Sequence, residues 1–292
     1  MDYRDSVDLS DSHTQRASGG GGGGRMALGG GVGGLVLMLL VVFVGPRFGI
    51  NVSDLLGSGS GQDTQPVVQG SDLDHCKQKD VNVNANRECR WLLYEKVLQS
   101  YWSKTATNYK YATVKLFSGT INTACGVGQT EMGPFYCSGD STVYIDDSYV
   151  GQLLKQLGAS GGDAAELYIV AHEFGHHVQN LDGTMRKVTR GTGADSAQVR
   201  LELQAGCYAG GVFNQDMKDS NSPIKAVSKD DLLRIADAAR SVGDDHIQKQ
   251  QGGFVNPESW THGSSEQRQR WLSIGFDSGN PSSCNTFDTQ DL

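Results

Sequence analysis

The chain has 292 residues, is 37% hydrophobic and 8% aromatic, and carries a formal net charge of −8. A nucleic-acid interface needs a basic surface, so that class is excluded, and the proportions fit an ordinary folded domain. Glycine is abundant, but much of the excess lies ahead of position 62 and says little about the core.

Residues 1–25 are polar and contain the run Gly19–Gly24. With little apolar surface to bury, they are expected to form a disordered cytoplasmic tail. Met26–Val44 follows, an uncharged stretch close to the ~20 residues that span a bilayer, so residues 26–45 are expected to be a transmembrane anchor. Gly45, Pro46 and Arg47 come next, where a cleaved signal peptide would show small residues at its cleavage site. Arg4, Arg16 and Arg25 precede the span and Arg47 alone follows closely. That bias predicts a single-pass protein in the cell membrane with a cytoplasmic N-terminus and an extracytoplasmic bulk. Residues 46–72, with GSGSGQDTQP, are expected to be a flexible linker.

Residues 73–292 form the expected domain, of α+β class. Helical apolar spacing marks 87–102, while 111–117 and 141–146 are rich in β-branched and aromatic residues, as strands are. Residues 148–158 predict a short helix. The strongest helix is Asp163–Leu181, with Asp163 as N-cap, Glu166 three residues on and Gly183 after its end. A second long helix spans Ser196–Asn214. Ser228 with Asp231, and Ser264 with Gln267, open two more.

The Asp163–Leu181 helix carries His172-Glu173-Phe174-Gly175-His176. Positions i and i+4 share a helix face, so two imidazoles can reach one zinc ion. Glu173 lies one position round the helix, placed to act as general base on water rather than as a ligand. The alternative, two surface histidines with an incidental glutamate, fits poorly with the apolar run LYIVA just before them. A third protein ligand is needed. The HExxHxxGxxH form is absent, because position 182 is aspartate. Glu202, the first glutamate downstream, lies on the following helix between Leu201 and Leu203 and is the candidate metal ligand; a solvated glutamate is the alternative. His262, ahead of a capped helix, is a candidate for stabilising the oxyanion, set against a purely structural role. His177 points about 100° away from His176 and suits packing or hydrogen bonding. His246 is expected to be solvated, and His13 and His75 receive no role. Tyr144 and Tyr208 cannot be told from core tyrosines.

Six cysteines, Cys76, Cys89, Cys125, Cys137, Cys207 and Cys284, all follow the apolar segment, and none forms a CxxC pair. An even number beyond a membrane span suggests disulfides formed in an oxidising compartment, with 15 possible pairings.

VAHEFGHHVQNLDG, VRLELQAGCYAGG, GDDHIQKQ, THGSSEQRQRW and the upstream GPFYCSGDSTVYID together resemble the bacterial family of putative neutral zinc metallopeptidases, over roughly residues 75–288. The resemblance implies a zincin-like fold, mostly helical with a small sheet. It implies zinc held by His172, His176 and Glu202, with Glu173 as base. It also favours, with neighbour spacing, the pairs Cys76–Cys89, Cys125–Cys137 and Cys207–Cys284. One departure stands out: the family pattern usually has aspartate where this chain has Gly206, four residues after Glu202. A carboxylate there can orient a zinc-bound histidine.

The function expected is hydrolysis of peptide bonds in a peptide or protein substrate of the cell envelope. A substrate strand is expected to pair with residues 141–146 at the sheet edge. A catalytically weakened zincin-fold binding module and a zinc hydrolase of non-peptide amides are the alternatives.

Overall fold

The computed structural model describes residues 1–17, 73–188 and 191–292. Among them are seven α-helices: α1 Arg90–Thr105, α2 Val150–Gln156, α3 Asp163–Leu181, α4 Ala197–Asp216, α5 Lys229–Ser241, α6 Asp244–Gln250 and α7 Ser265–Ser278. The strands are β1 Asp2–Tyr3, β2 Thr14–Arg16, β3 Thr113–Leu116, β4 Thr120–Thr123, β5 Gly126–Gln129, β6 Phe135–Cys137, β7 Thr142–Ile145 and β8 Ile224–Ala226. The class is α+β, as expected. No helix among the described residues is long and apolar enough to cross a membrane. The anchor (26–45) and linker (46–72) inferred from the sequence lie outside the described residues.

Helices α3 and α4 are buried over nearly their whole lengths and form the centre of the domain. They approach closely because Gly175 lacks a side chain: a Cβ there would lie 3.0 Å from Ala205 Cα. The capping boxes of Ser228 with Asp231 and Ser264 with Gln267 form as expected. Asp163 does not cap α3. Gly162 takes the N-cap position, and the Asp163 carboxylate instead receives both 2.8 Å hydrogen bonds of Arg90 Nη1. An arginine from another element outcompetes the local backbone for that carboxylate.

The main sheet has the order β2-β3-β7-β6, with β2, β3 and β7 parallel and β6 antiparallel to β7. This corrects the placement of residues 141–146 at an edge. β7 lies between β3 and β6, with Val143 opposite Val114 on one side and Tyr136 on the other. All four of its residues are buried, as in a strand covered on both faces. The edge nearest α3 is β6.

The first 17 residues are a second correction, because they are folded. β1 pairs antiparallel with β8, and β2 extends the main sheet. Tyr3, Val7, Leu9 and Thr14 are buried. The segment has no apolar run of its own, so composition hides it. Single side chains fill slots in the domain, whose polar groups meet the rest: Arg4 Nε donates to Ser222 O at 2.7 Å, and Ser12 Oγ to Glu95 at 2.6 Å.

All six cysteines pair as expected, with Cα–Cα separations of 5.2 Å for Cys76–Cys89, 5.8 Å for Cys125–Cys137 and 5.6 Å for Cys207–Cys284. The last ties the C-terminal segment to α4 beside the candidate site.

Candidate metal centre and active site

His172 and His176 lie one turn apart on α3, and α4 presents Glu202 to both. His172 Nε2 is 3.0 Å from Glu202 Oε2, and His176 Nε2 is 3.5 Å from Glu202 Oε1. One ligand atom from each of the three residues lies within 4.8 Å of the others, and all three side chains are buried. Zinc–ligand distances of about 2.0–2.2 Å require donors at such mutual spacing. The donor set, two imidazoles and a carboxylate, suits that ion and leaves room for water. The three residues therefore fit a zinc ion.

The His176 ring is fixed from behind. His176 Nδ1 donates to Gln179 Oε1 at 2.8 Å. Gln179 is held in turn, its Nε2 donating to Leu201 O at 2.8 Å and to Gln204 Oε1 at 2.9 Å. Both of those partners are acceptors, which sets the amide orientation and leaves Nε2 of His176 as the nitrogen toward the metal position. His172 differs, for its Nδ1 is buried without a partner.

Electrostatics follow from burial. Burial pushes His172 down to about 3, so its ring is neutral, as a ligand must be. Burial also pulls on His176, but the Glu202 charge and hydrogen bond prevail and raise it to about 9. For Glu202 itself, burial favours the protonated form, yet the His176 charge and hydrogen bonds from both histidines hold the carboxyl well below its ordinary value.

Glu173 is 6% exposed, and its Oε2 is buried without a hydrogen-bond partner. Burial pushes this carboxyl up to about 8, against the charge of His176 and a hydrogen bond from the Tyr136 backbone on β6. A buried carboxylate with one free oxygen beside the metal position is set up to exchange a proton.

His262 approaches from the loop before α7, and its charge and that of Glu202 perturb each other. Asp244, at the start of α6, holds that loop. Its Oδ2 accepts the backbone N–H groups of Thr261 (2.7 Å), His262 (2.7 Å) and Gly263 (3.0 Å). Its Oδ1 lies 3.4 Å from His262 Nδ1. Burial favours neutral His262, but the Asp244 hydrogen bond and the charges of Glu202 and Asp244 raise its pKa. Arg268 of α7 is buried, donates to His262 O at 3.3 Å and places Nη1 3.9 Å from Glu202 Oε2.

With this geometry in view, the comparisons with known proteins are decisive. Residues 1–287 match the model of a family described as putative neutral zinc metallopeptidase. The chain belongs to this family. Relatives of this chain include the uncharacterized protein Rv2575 of Mycobacterium tuberculosis, 41% identical over 234 residues, covering 77% of this chain and 79% of the relative. The uncharacterized protein YpfJ of Escherichia coli K12 is 37% identical over 257 residues, covering 85% of each. No solved structure matches significantly.

The fold of this chain brings together His172, Glu173, His176, Glu202 and His262, all five candidates from the sequence. His177 faces away, bonded to Tyr136 Oη at 3.0 Å and Lys110 O at 2.7 Å, the structural role expected. His246 is half-buried rather than solvated, bridging Leu157 O at 2.9 Å and Arg240. Gln179, Asp244 and Arg268 were missed. Gln179 carried a signal, since it sits three residues after His176 on the same helix face. Asp244 and Arg268 are joined to the site only by tertiary contacts, which no spacing reveals.

Proposed function

We propose that this protein is a zinc-dependent peptidase, with His172, His176 and Glu202 holding zinc and Glu173 as general base. One observation carries the reading: two imidazoles and a carboxylate converge beside a buried glutamate whose second oxygen has no partner. Zinc at this position supplies a Lewis acid that polarises the scissile carbonyl and acidifies water.

The chain's own residues do the rest. Glu173 Oε2 takes the proton of the attacking water and returns it to the departing amine. The oxygen that no other group occupies holds that proton between the two steps. His262, whose charged form the Asp244 hydrogen bond and charge favour, donates a hydrogen bond to the developing oxyanion. An extended substrate pairs with edge strand β6, whose Tyr136 already touches Glu173. The three disulfides favour an oxidising compartment, so substrates of the cell envelope are the proposed targets.

A second reading, a zinc-poor binding module, draws on the unpartnered His172 Nδ1, since a poorly oriented ligand weakens metal binding. Metal analysis and turnover of an unfolded-protein substrate separate the two. Glu173→Gln is expected to keep zinc and lose peptidase activity, and Glu202→Ala to lose tight zinc. Full, tight zinc in a folded Glu202→Ala protein refutes the ligand set. Zinc-loaded wild type without turnover on any unfolded protein supports the binding module.

A further inference from the structure

The N-terminal segment and the metal-binding domain meet in a way that constrains membrane topology. Glu88, just ahead of α1, is shared by residues on both sides of the undescribed stretch 18–72. Arg16 Nη2 binds Glu88 Oε1, and His75 Nε2 lies 3.5 Å from Glu88 Oε2. Arg16 also donates to both oxygens of Asp147, at 3.1 and 2.9 Å. The chain therefore leaves the domain and returns to it at one carboxylate.

The contacts ahead of that point are extensive and specific. β2 lies in register on β3, with Thr14 opposite Val114 and Arg16 opposite Leu116. Val7 and Val81 exchange backbone hydrogen bonds of 3.1 and 2.9 Å. Tyr3 Oη donates to Asp163 Oδ2 at 3.1 Å, which links the segment to the first residue of the helix that carries His172 and His176. Arg4 and Arg16, two of the three arginines that favoured a cytoplasmic N-terminus, are both used by the domain, Arg4 on the Ser220 and Ser222 carbonyls.

A strand cannot pair with a domain on the other side of a bilayer. Residues 18–72 contain one uncharged apolar run, Met26–Val44, and the remainder is broken by Pro46, Arg47, Asp54, Asp63 and Pro66. That is one run of spanning length, where crossing and returning as full spans needs two. We propose that Met1–Arg16 is a docked part of the peptidase domain and lies on the same side of the membrane as the metal site. Any engagement of the membrane by the intervening stretch then begins and ends on one face. The single crossing with a cytoplasmic N-terminus, expected from charge bias, is replaced.

Two measurements on the full-length chain in its host membrane test this. Val7 and Val81 form a hydrogen-bonded antiparallel pair, a geometry with Cα atoms about 5.5 Å apart, within disulfide range. In Val7→Cys/Val81→Cys, mild oxidation is expected to join tryptic peptides 5–16 and 80–87. Two alkylatable thiols at these positions in a folded protein overturn the docking. The second measurement leaves the packing alone. The described cysteines are all in disulfides, so Ser10→Cys and Ser273→Cys each add one exposed thiol. With a membrane-impermeant maleimide on intact spheroplasts, both are expected to label to the same extent, or neither until lysis. Labelling of Ser273→Cys alone before lysis places the N-terminus on the opposite side and overturns the proposal.

Discussion

Replacing Gly206 by aspartate probes the metal-site nitrogen that the protein leaves without a partner. His176 is braced by Gln179, but His172 Nδ1 is buried and unpaired. Gly206 sits on α4 one turn beyond Glu202. A Cβ there meets only the Tyr168 hydroxyl, at the ordinary contact distance of 3.6 Å, and Tyr168 lies one turn before His172 on α3. The new side chain therefore starts without a clash, next to a tyrosine that stands one turn before His172 on the facing helix. Three terms set the outcome. Leaving glycine inside a helix gains a few tenths of a kcal/mol. A carboxylate bracing a zinc-bound histidine is worth about 10–100-fold in metal affinity, or about 1.4–2.7 kcal/mol. Opposing both, a buried carboxylate left unpaired costs several kcal/mol. If the carboxylate reaches His172, zinc affinity measured by chelator competition rises at least about tenfold and the peptidase rate rises with it. If Arg268 or Tyr168 captures it instead, the variant folds with unchanged affinity, and the reasoning that ties Gly206 to His172 is refuted.

Two further perturbations test the rest of the shell. Gln179→Leu removes the acceptor of His176 Nδ1 while keeping its volume, and is expected to weaken zinc binding about 10–100-fold in a protein that still folds; unchanged chelator competition would show that the brace is dispensable. Asp244→Asn tests the proton on His262. Because the His262 pKa is raised in the folded protein, its charged form is present at low pH and is lost as pH rises through the folded value, so activity has an alkaline limb. Weakening the Asp244 charge is expected to move that limb to lower pH and to reduce kcat more than KM, whereas an unmoved limb would assign it to another group. The Asp244 pKa is lowered, so its contribution to stability runs the other way: present above the unfolded value near 3.8 and lost as pH falls through the folded one.

What the sequence revealed was chemistry confined to one helix. His172, Glu173 and His176 share a turn of α3, so their relation is set by helix geometry before any tertiary contact forms. Glu202 was legible for a different reason: a third ligand was required, and the next helix supplied one glutamate flanked by leucines. The cysteine pairs followed family resemblance and neighbour spacing, which was short for Cys76–Cys89 and Cys125–Cys137 but 77 residues for Cys207–Cys284. Strand order was less accessible. STVYID has the composition of a strand, but its burial by β3 and β6 depends on segments whose pairing is nonlocal. The folded N-terminus was the largest miss, because Tyr3, Val7 and Leu9 are buried by surfaces that other residues provide. A composition test asks whether a segment can bury itself, which is the wrong question for a segment that is buried by its host.

The same limit explains Arg268. In sequence, Gly275 is a weak point inside a helix, and nothing connects it with a metal site. In the structure a Cβ at Gly275 would lie 1.8 Å from Cys207 O, so only glycine lets α7 cross α4 at this separation. The crossing lies beside the Cys207–Cys284 bond, which holds the following segment against α4. Arg268 is on α7, seven residues before Gly275, which is nearly two turns. The close crossing thus sets its guanidinium 3.9 Å from Glu202 and 3.3 Å from the His262 carbonyl. A glycine and a disulfide that look like fold-level details place a buried cation between Glu202 and the His262 loop. Residues outside the motif thereby help define the electrostatics of the site.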